Sequence, residues 1–280
     1  MFDVLVNWFT EPLTYSFMQQ ALIVSLIVGV VCATLSCYLV LKGWSLMGDA
    51  ISHAVLPGIV LAYVVSLPLA VGAFVSGIFC SVAVGYLKEN SRIKEDTVMG
   101  IVFSGMFAFG IVLFTKVQSD QHLLHILFGN ILGISEDEFQ QTLIIAGVSL
   151  VVILLKRKDL LLYCFDPSHA RTVGLNVKVL HYGLLVLLAL VIISAMQVVG
   201  VILVVAMLIT PGITGYVLAK RFDYMLLVAI CTSLFSGAVG VLMSFHFNVA
   251  TGPAVVLLQA VCFIVAFVIS KIKSRLVVVT

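Results

Sequence analysis

The sequence predicts an all-α, polytopic membrane protein of about nine transmembrane helices, with one short cytoplasmic helix and the N-terminus outside. Three observations predict it. Hydrophobic residues make up 62% of the 280 and charged residues only 10%, against roughly 25% charged in a soluble domain. Runs free of Lys, Arg, Asp and Glu cover 18–41, 51–87, 97–115, 139–155, 179–219 and 224–270, and about 20 apolar residues cross a bilayer as one helix. Threading nine spans alternately collects 14 of the 15 basic residues on one side and leaves only Lys116 on the other. The excess of Lys and Arg marks the cytoplasmic side, which puts the C-terminus inside.

The elements follow in chain order. Residues 1–17 carry Asp3 and Glu11, no basic residue and no small-residue cleavage pattern, so they read as an outer interfacial helix rather than a removed signal. The first span is 18–41. The second run is too long for one crossing, and Ser66-Leu67-Pro68 divides it. The cluster from Lys88 to Thr97 mixes both signs of charge and suits a solvated inner surface. Residues 116–138 form the longest outer loop, and its segment from His122 to Gly133 is apolar enough to pack rather than float. His122 and His125 would share a helix face, a spacing that can bind a metal, but two imidazoles alone make a poor site, and a loop that packs and contacts a partner is the expectation. The inner loop 156–178 holds Asp166, an N-cap residue, Pro167 at a first helical position and Gly174 at a C-terminal cap, the pattern of a two-turn helix. Breaks at 194–200 and 246–253 complete the nine. Loops this short leave a single domain, 1–280.

Several functions are excluded. The net charge of +2 is made of topological signals and so says nothing about nucleic acid, which is not an expected partner. No G-x-x-x-x-G-K-[ST] occurs, so it does not hold ATP by a P-loop, and no GxSxG, HExxH or CxxC marks an active site. Of the six cysteines, all but Cys164 fall inside spans and read as small apolar residues. His181 and His246 lie at span ends and read as interfacial.

The stretch Gly48-Asp49-Ala50-Ile51-Ser52-His53-Ala54-Val55-Leu56-Pro57-Gly58 carries the chemistry. Asp49 and His53 are four apart and stack on one helix face. A carboxylate at membrane depth costs about 2.5–3.5 kcal/mol unless it is wetted or paired, so such a residue faces a cavity. Carboxylate oxygen with imidazole nitrogen suits Mn²⁺, Fe²⁺ or Zn²⁺. One pair gives two ligands, and a related pair across a dimer axis would give four. The competing local account is an interfacial Asp at a helix start with a hydrogen-bonded His.

That stretch resembles the signature of the ABC-3 family of metal-specific ABC importer permeases, and the Ala-Val-Leu-Pro-Gly after the histidine resembles the manganese/iron branch. Glu95 to Phe103, His125 to Asn130, Phe165 to Gly174, Thr210-Pro211-Gly212 and Ala250 to Pro253 agree in order. The resemblance implies a metal path lined by Asp49 and His53. It implies a coupling helix carrying Asp166, Pro167, Ala170, Arg171 and Gly174, and an outer partner contact at His122, His125 and Asn130. The implied partners are two cytoplasmic ATPase subunits, a second permease copy or paralogue, an extracytoplasmic metal-binding protein and membrane lipid. The implied place is the bacterial plasma (inner) membrane. The chain would be no enzyme and hold no permanent cofactor; Mn²⁺ or Fe²⁺ would be cargo. A zinc importer is the alternative within transport, an ion-coupled secondary carrier the alternative outside the class. A non-transporting scaffold would leave Asp49 and His53 without a reason.

Overall fold

The computed structural model describes residues 10–44, 46–117, 133 and 135–279, with the side chains of Glu95 and 274–279 excepted. From residue 16 on, the described residues form twelve helices in order: α1 Ser16–Lys42, α2 Met47–Ala54, α3 Leu56–Val64, α4 Leu69–Glu89, α5 Glu95–Lys116, α6 Glu136–Leu155, α7 Arg157–Phe165, α8 Pro167–Thr172, α9 Val177–Val199, α10 Val201–Leu218, α11 Phe222–Phe247 and α12 Thr251–Val279. Among the described residues nine segments are long and apolar enough to cross a membrane, with α2 and α3 together making the second. The all-helical fold and the nine spans are those expected. Of the outer helix expected over 1–17, residues 1–9 lie outside the described residues and 10–13 are helical.

The three long apolar runs are broken where a residue takes a left-handed backbone. Ser66 has φ 59°, Gly200 has φ 82° and Asn248 has φ 51°. Gly200 also has ψ 160°, a combination open only to a residue without Cβ. So α9 and α10 reverse direction across one residue, where the sequence offered the seven from Ser194 to Gly200.

Alternation of the spans shows in contacts between their ends. On one side Gln20 of α1 donates to Glu136 of α6 at 2.8 Å, and Thr142 of α6 donates to the Ser194 carbonyl of α9 at 3.3 Å. On the other side Arg157 of α7 pairs with Asp223 of α11, and the Tyr38 ring of α1 meets that of Phe222, tilted, at 5.1 Å. The second side gathers the basic loops. The capping box at the start of α6, Ser135 with Glu138, is a Ser-x-x-Glu pattern that the sequence offered and the reading above did not use.

Helix α1 is the hub, packed on α10, α11, α6 and α7. Small residues allow the approach. Ser233 of α11 donates to the Gly29 carbonyl at 2.9 Å, and Gly237 lies against Ser25. Beside Pro211 of α10, Ser36 of α1 bridges the two helices: its hydroxyl donates to the Ile209 carbonyl at 3.3 Å and accepts from the Gly212 N–H at 2.9 Å. Such polar bridges and small side chains hold spans together where lipid removes the hydrophobic drive. By contrast α5, α6 and α12 are mostly uncovered.

All six cysteines are free. Four are buried, as expected of small apolar residues, while Cys231 is exposed and Cys262 half-buried. Outside the spans, burial pushes the Cys164 thiol up to about 12, with Lys42 opposing, so it stays protonated and unreactive near neutral pH.

Candidate metal site

The site begins at a sharp corner. Gly43 closes α1 in a left-handed turn (φ 76°), with Trp44 N–H bonded back to the Leu39 carbonyl at 2.8 Å. Trp44 is buried and pins the corner. The chain then enters α2 only a few residues on. Helix α2 has eight residues, and six of them, Met47, Gly48, Ala50, Ile51, Ser52 and Ala54, are buried. The other two are Asp49 and His53. Their side chains remain 39% and 37% exposed.

The predicted stacking is present. His53 Nε2 lies 3.3 Å from Asp49 Oδ1. Asp49 sits in the first turn of α2, where the helix dipole favours a carboxylate by about 0.3–1 kcal/mol. The His53 ring meets Phe107 edge-on at 5.2 Å and Phe103 at 6.1 Å, both on α5. The helix breaks at Val55, and α3 restarts with Pro57 in its first turn. Gly58 of α3 lies so close to Gly72 of α4 that a Cβ on Gly58 would come within 2.1 Å of the Gly72 carbonyl oxygen. The corner and the crossing hold α2, and with it the direction of the Asp49 and His53 side chains.

The pair offers one hard oxygen donor and one imidazole nitrogen, and no thiolate joins it. No group of three or more His, Cys, Asp or Glu that could hold a metal exists among the described residues.

The expected short helix also forms. Asp166 Oδ1 accepts from the N–H of Ser168 at 2.9 Å and of His169 at 3.0 Å. Pro167 opens α8, and Gly174 (φ 89°) ends the turn. Leu175 N–H returns to the Ala170 carbonyl and Gly174 N–H to the Arg171 carbonyl, both at 3.0 Å, which is a Schellman closure. Ala170 faces inward, and Arg171 points out. Phe165 and Val173 flank it, 65% and 61% exposed. Residues His122, His125 and Asn130 lie outside the described residues.

Two features escaped the sequence reading. Helix α7 precedes α8, and its Leu160, Tyr163 and Cys164 are buried at a 3–4 spacing that could have revealed it. Tyr163 OH lies 2.8 Å from His181 Nδ1, and Trp44 meets His181 edge-on at 5.3 Å. Lys42 Nζ stands over the Tyr163 ring at 4.1 Å. His181 is thus half-buried in a junction joining the α7–α8 loop to the corner ahead of α2. No sequence spacing announces that junction, because Trp44 and Lys42 stand more than a hundred residues from Tyr163 and His181 in the chain.

The profile of the ABC 3 transport family matches residues 14–270. The chain is 64% identical to the chelated iron transport system membrane protein YfeD of Yersinia pestis over 271 residues, covering 97% of this chain and 91% of that one. It is 54% identical to the manganese transport system membrane protein MntB of Synechocystis over 262 residues, covering 94% and 86%. Among solved structures, PsaBC from Streptococcus pneumoniae in complex with Fab matches with a TM-score of 0.82 at 40% identity, covering 94% of this chain and 95% of that one.

Proposed function

The chain belongs to the ABC 3 transport family, and from that membership we propose that it is the permease of an ATP-driven importer carrying manganese or iron across the bacterial plasma (inner) membrane. One observation carries the reading. The short helix α2 is buried all round except for a carboxylate and an imidazole on one face. A membrane protein bears the cost of such a pair where cargo must pass. Manganese and iron, named for the relatives, accept oxygen and nitrogen ligands.

Two ligands do not complete a site, so a second permease, identical or paralogous, supplies the others across a shared axis. The uncovered face of α5 beside His53 supports close approach: Ser104, Gly105 and Ala108 are exposed, and a Cβ on Gly105 would meet nothing within 4 Å. Small residues let membrane helices approach closely. The chain supplies no nucleotide site, and separate ATPase subunits hydrolyse ATP. An extracytoplasmic binding protein delivers the metal. Residues 1–280 act as one permease domain.

Helix α8 with its cap is the coupling element. Phe165 at the end of α7 and Val173 just after α8 are exposed on either side of it in sequence, and with Arg171 they offer the residue types enriched at protein interfaces. The Tyr163–His181–Trp44 junction would pass its movement to the corner of α2 as rigid-body motion. In proteoliposomes holding the complete complex, ATP should drive radiolabelled manganese uptake. Uptake driven by an ion gradient without ATP would support a secondary carrier instead.

Two further results are expected. Arg171→Glu should weaken ATPase binding or let hydrolysis proceed without uptake, with the permease still inserted; if coupling and crosslinks from this loop to the ATPase match the unaltered complex in affinity and yield, the docking assignment fails. With the N-terminus outside, an impermeant thiol reagent should label a cysteine placed at Ser119 from outside but not one placed at Ser168. The reverse pattern would invert the topology.

A further inference from the structure

A second concave surface lies away from Asp49 and His53, where α10 ends, α11 begins and α12 leaves the membrane. It is a groove of about 800 Å³, lined by Lys220, Arg221, Lys273, Tyr216, Tyr224 and Ile269 among others. Among the described residues no acidic side chain lines it. Asp223, the carboxylate nearest in sequence, turns instead to Arg157 of α7. Three cations therefore converge without local compensation.

The level of the groove matters as much as its charge. Span α10 ends at Leu218 and the last span at Lys273, so the cations stand where hydrocarbon gives way to headgroups. Tyr216 and Tyr224 are 59% and 61% exposed, the placement of tyrosines in an interfacial aromatic belt. Below them the wall is apolar, with Ile269 half exposed. A soluble anion would use the cations but not this wall. A molecule with a phosphate at one end and acyl chains at the other would use both.

We propose that this groove is a binding site for an anionic phospholipid of the leaflet that faces the basic loops, its phosphate held by Lys220, Arg221 and Lys273 and its chains lying along Ile269. Basic pockets between transmembrane helices take lipid headgroups on these terms. Bound there, the lipid joins three spans at one end and braces α10 against α12.

The test uses the purified complete complex. Native mass spectrometry measures retention of phosphatidylglycerol, with phosphatidylcholine and inorganic phosphate as competitors. The unaltered complex should retain phosphatidylglycerol in preference to phosphatidylcholine. In Lys220→Gln/Arg221→Gln/Lys273→Gln, affinity should fall about 100-fold, since each cation near an anionic lipid surface contributes about five-fold. The charge-preserving Lys220→Arg/Lys273→Arg should keep the affinity, which separates lost charge from lost folding. Equal retention of phosphatidylglycerol by the triple variant would overturn the proposal. So would full displacement by millimolar inorganic phosphate, the behaviour of a soluble-anion site, or crosslinks placing the ATPase over the groove.

Discussion

Asp49→Ala should abolish metal uptake by membranes carrying the complete complex, while the permease still inserts and assembles. The expected loss is at least about 100-fold, because even partners one shell removed from a metal typically cost 10–100-fold when lost. Stability should change little. Asp49 is 39% exposed and its partner is His53, one turn away, so truncation leaves no buried group unpaired; exposed substitutions of this kind usually stay within about 0.5 kcal/mol. His53→Ala should reproduce the loss of uptake, since it takes away the nitrogen donor of the same half-site. Radiolabelled manganese uptake, read beside size-exclusion profiles of the solubilised complex, separates loss of transport from loss of assembly. Uptake at the unaltered rate in Asp49→Ala would remove α2 from the metal path.

Gly58→Leu, in contrast, should prevent folding. The α3–α4 crossing has backbone on both sides of the contact: a Cβ on Gly58 would reach 2.1 Å from the Gly72 carbonyl oxygen and 2.5 Å from Ser76 Cβ, and one on Gly72 would reach 2.2 Å from the Gly58 carbonyl oxygen. No flexible side chain can yield there. Overpacking in a well-filled core costs about 1–3 kcal/mol even where neighbours can adjust, and here they cannot without separating two spans. Gly58→Ala should lower the melting temperature, and Gly58→Leu should give aggregated protein. Gly147→Ala is the control, since its Cβ would meet nothing within 4 Å, and it should melt no lower than the unaltered chain. Equal melting of Gly58→Leu would contradict the close crossing.

How far the sequence disclosed this arrangement depends on the range of the interaction. The nine spans were legible because each is a local run of hydropathy, and charge sorted their ends. The breaks were legible because Ser66-Leu67-Pro68 and the segments ending at Gly200 and around Asn248 interrupt those runs. The Asp49–His53 face was legible because helical spacing of four puts it there, and the cap of α8 because Asp-Pro and Gly are local signals. Helix α7 escaped because its basic start and short apolar stripe look like a span end. The junction of Tyr163, His181 and Trp44, the Arg157–Asp223 pair and the Ser36 bridge to α10 escaped for a different reason. They join residues distant in the chain, and only the packing of the spans brings them together. The groove at Lys220, Arg221 and Lys273 belongs to that group: each residue marked the cytoplasmic side, but their convergence is a property of the fold.

The central claim is that Asp49 and His53 hold the metal in transit. The direct measurement is pulsed electron paramagnetic resonance of Mn²⁺ bound to the assembled complex with ¹⁵N-labelled histidine. A hyperfine coupling to histidine nitrogen should appear in the unaltered complex, weaken or vanish in His53→Ala, and vanish together with Mn²⁺ binding in Asp49→Ala/His53→Ala. A double variant that binds Mn²⁺ with the same nitrogen coupling and carries it at the same rate would place the metal path elsewhere in the molecule.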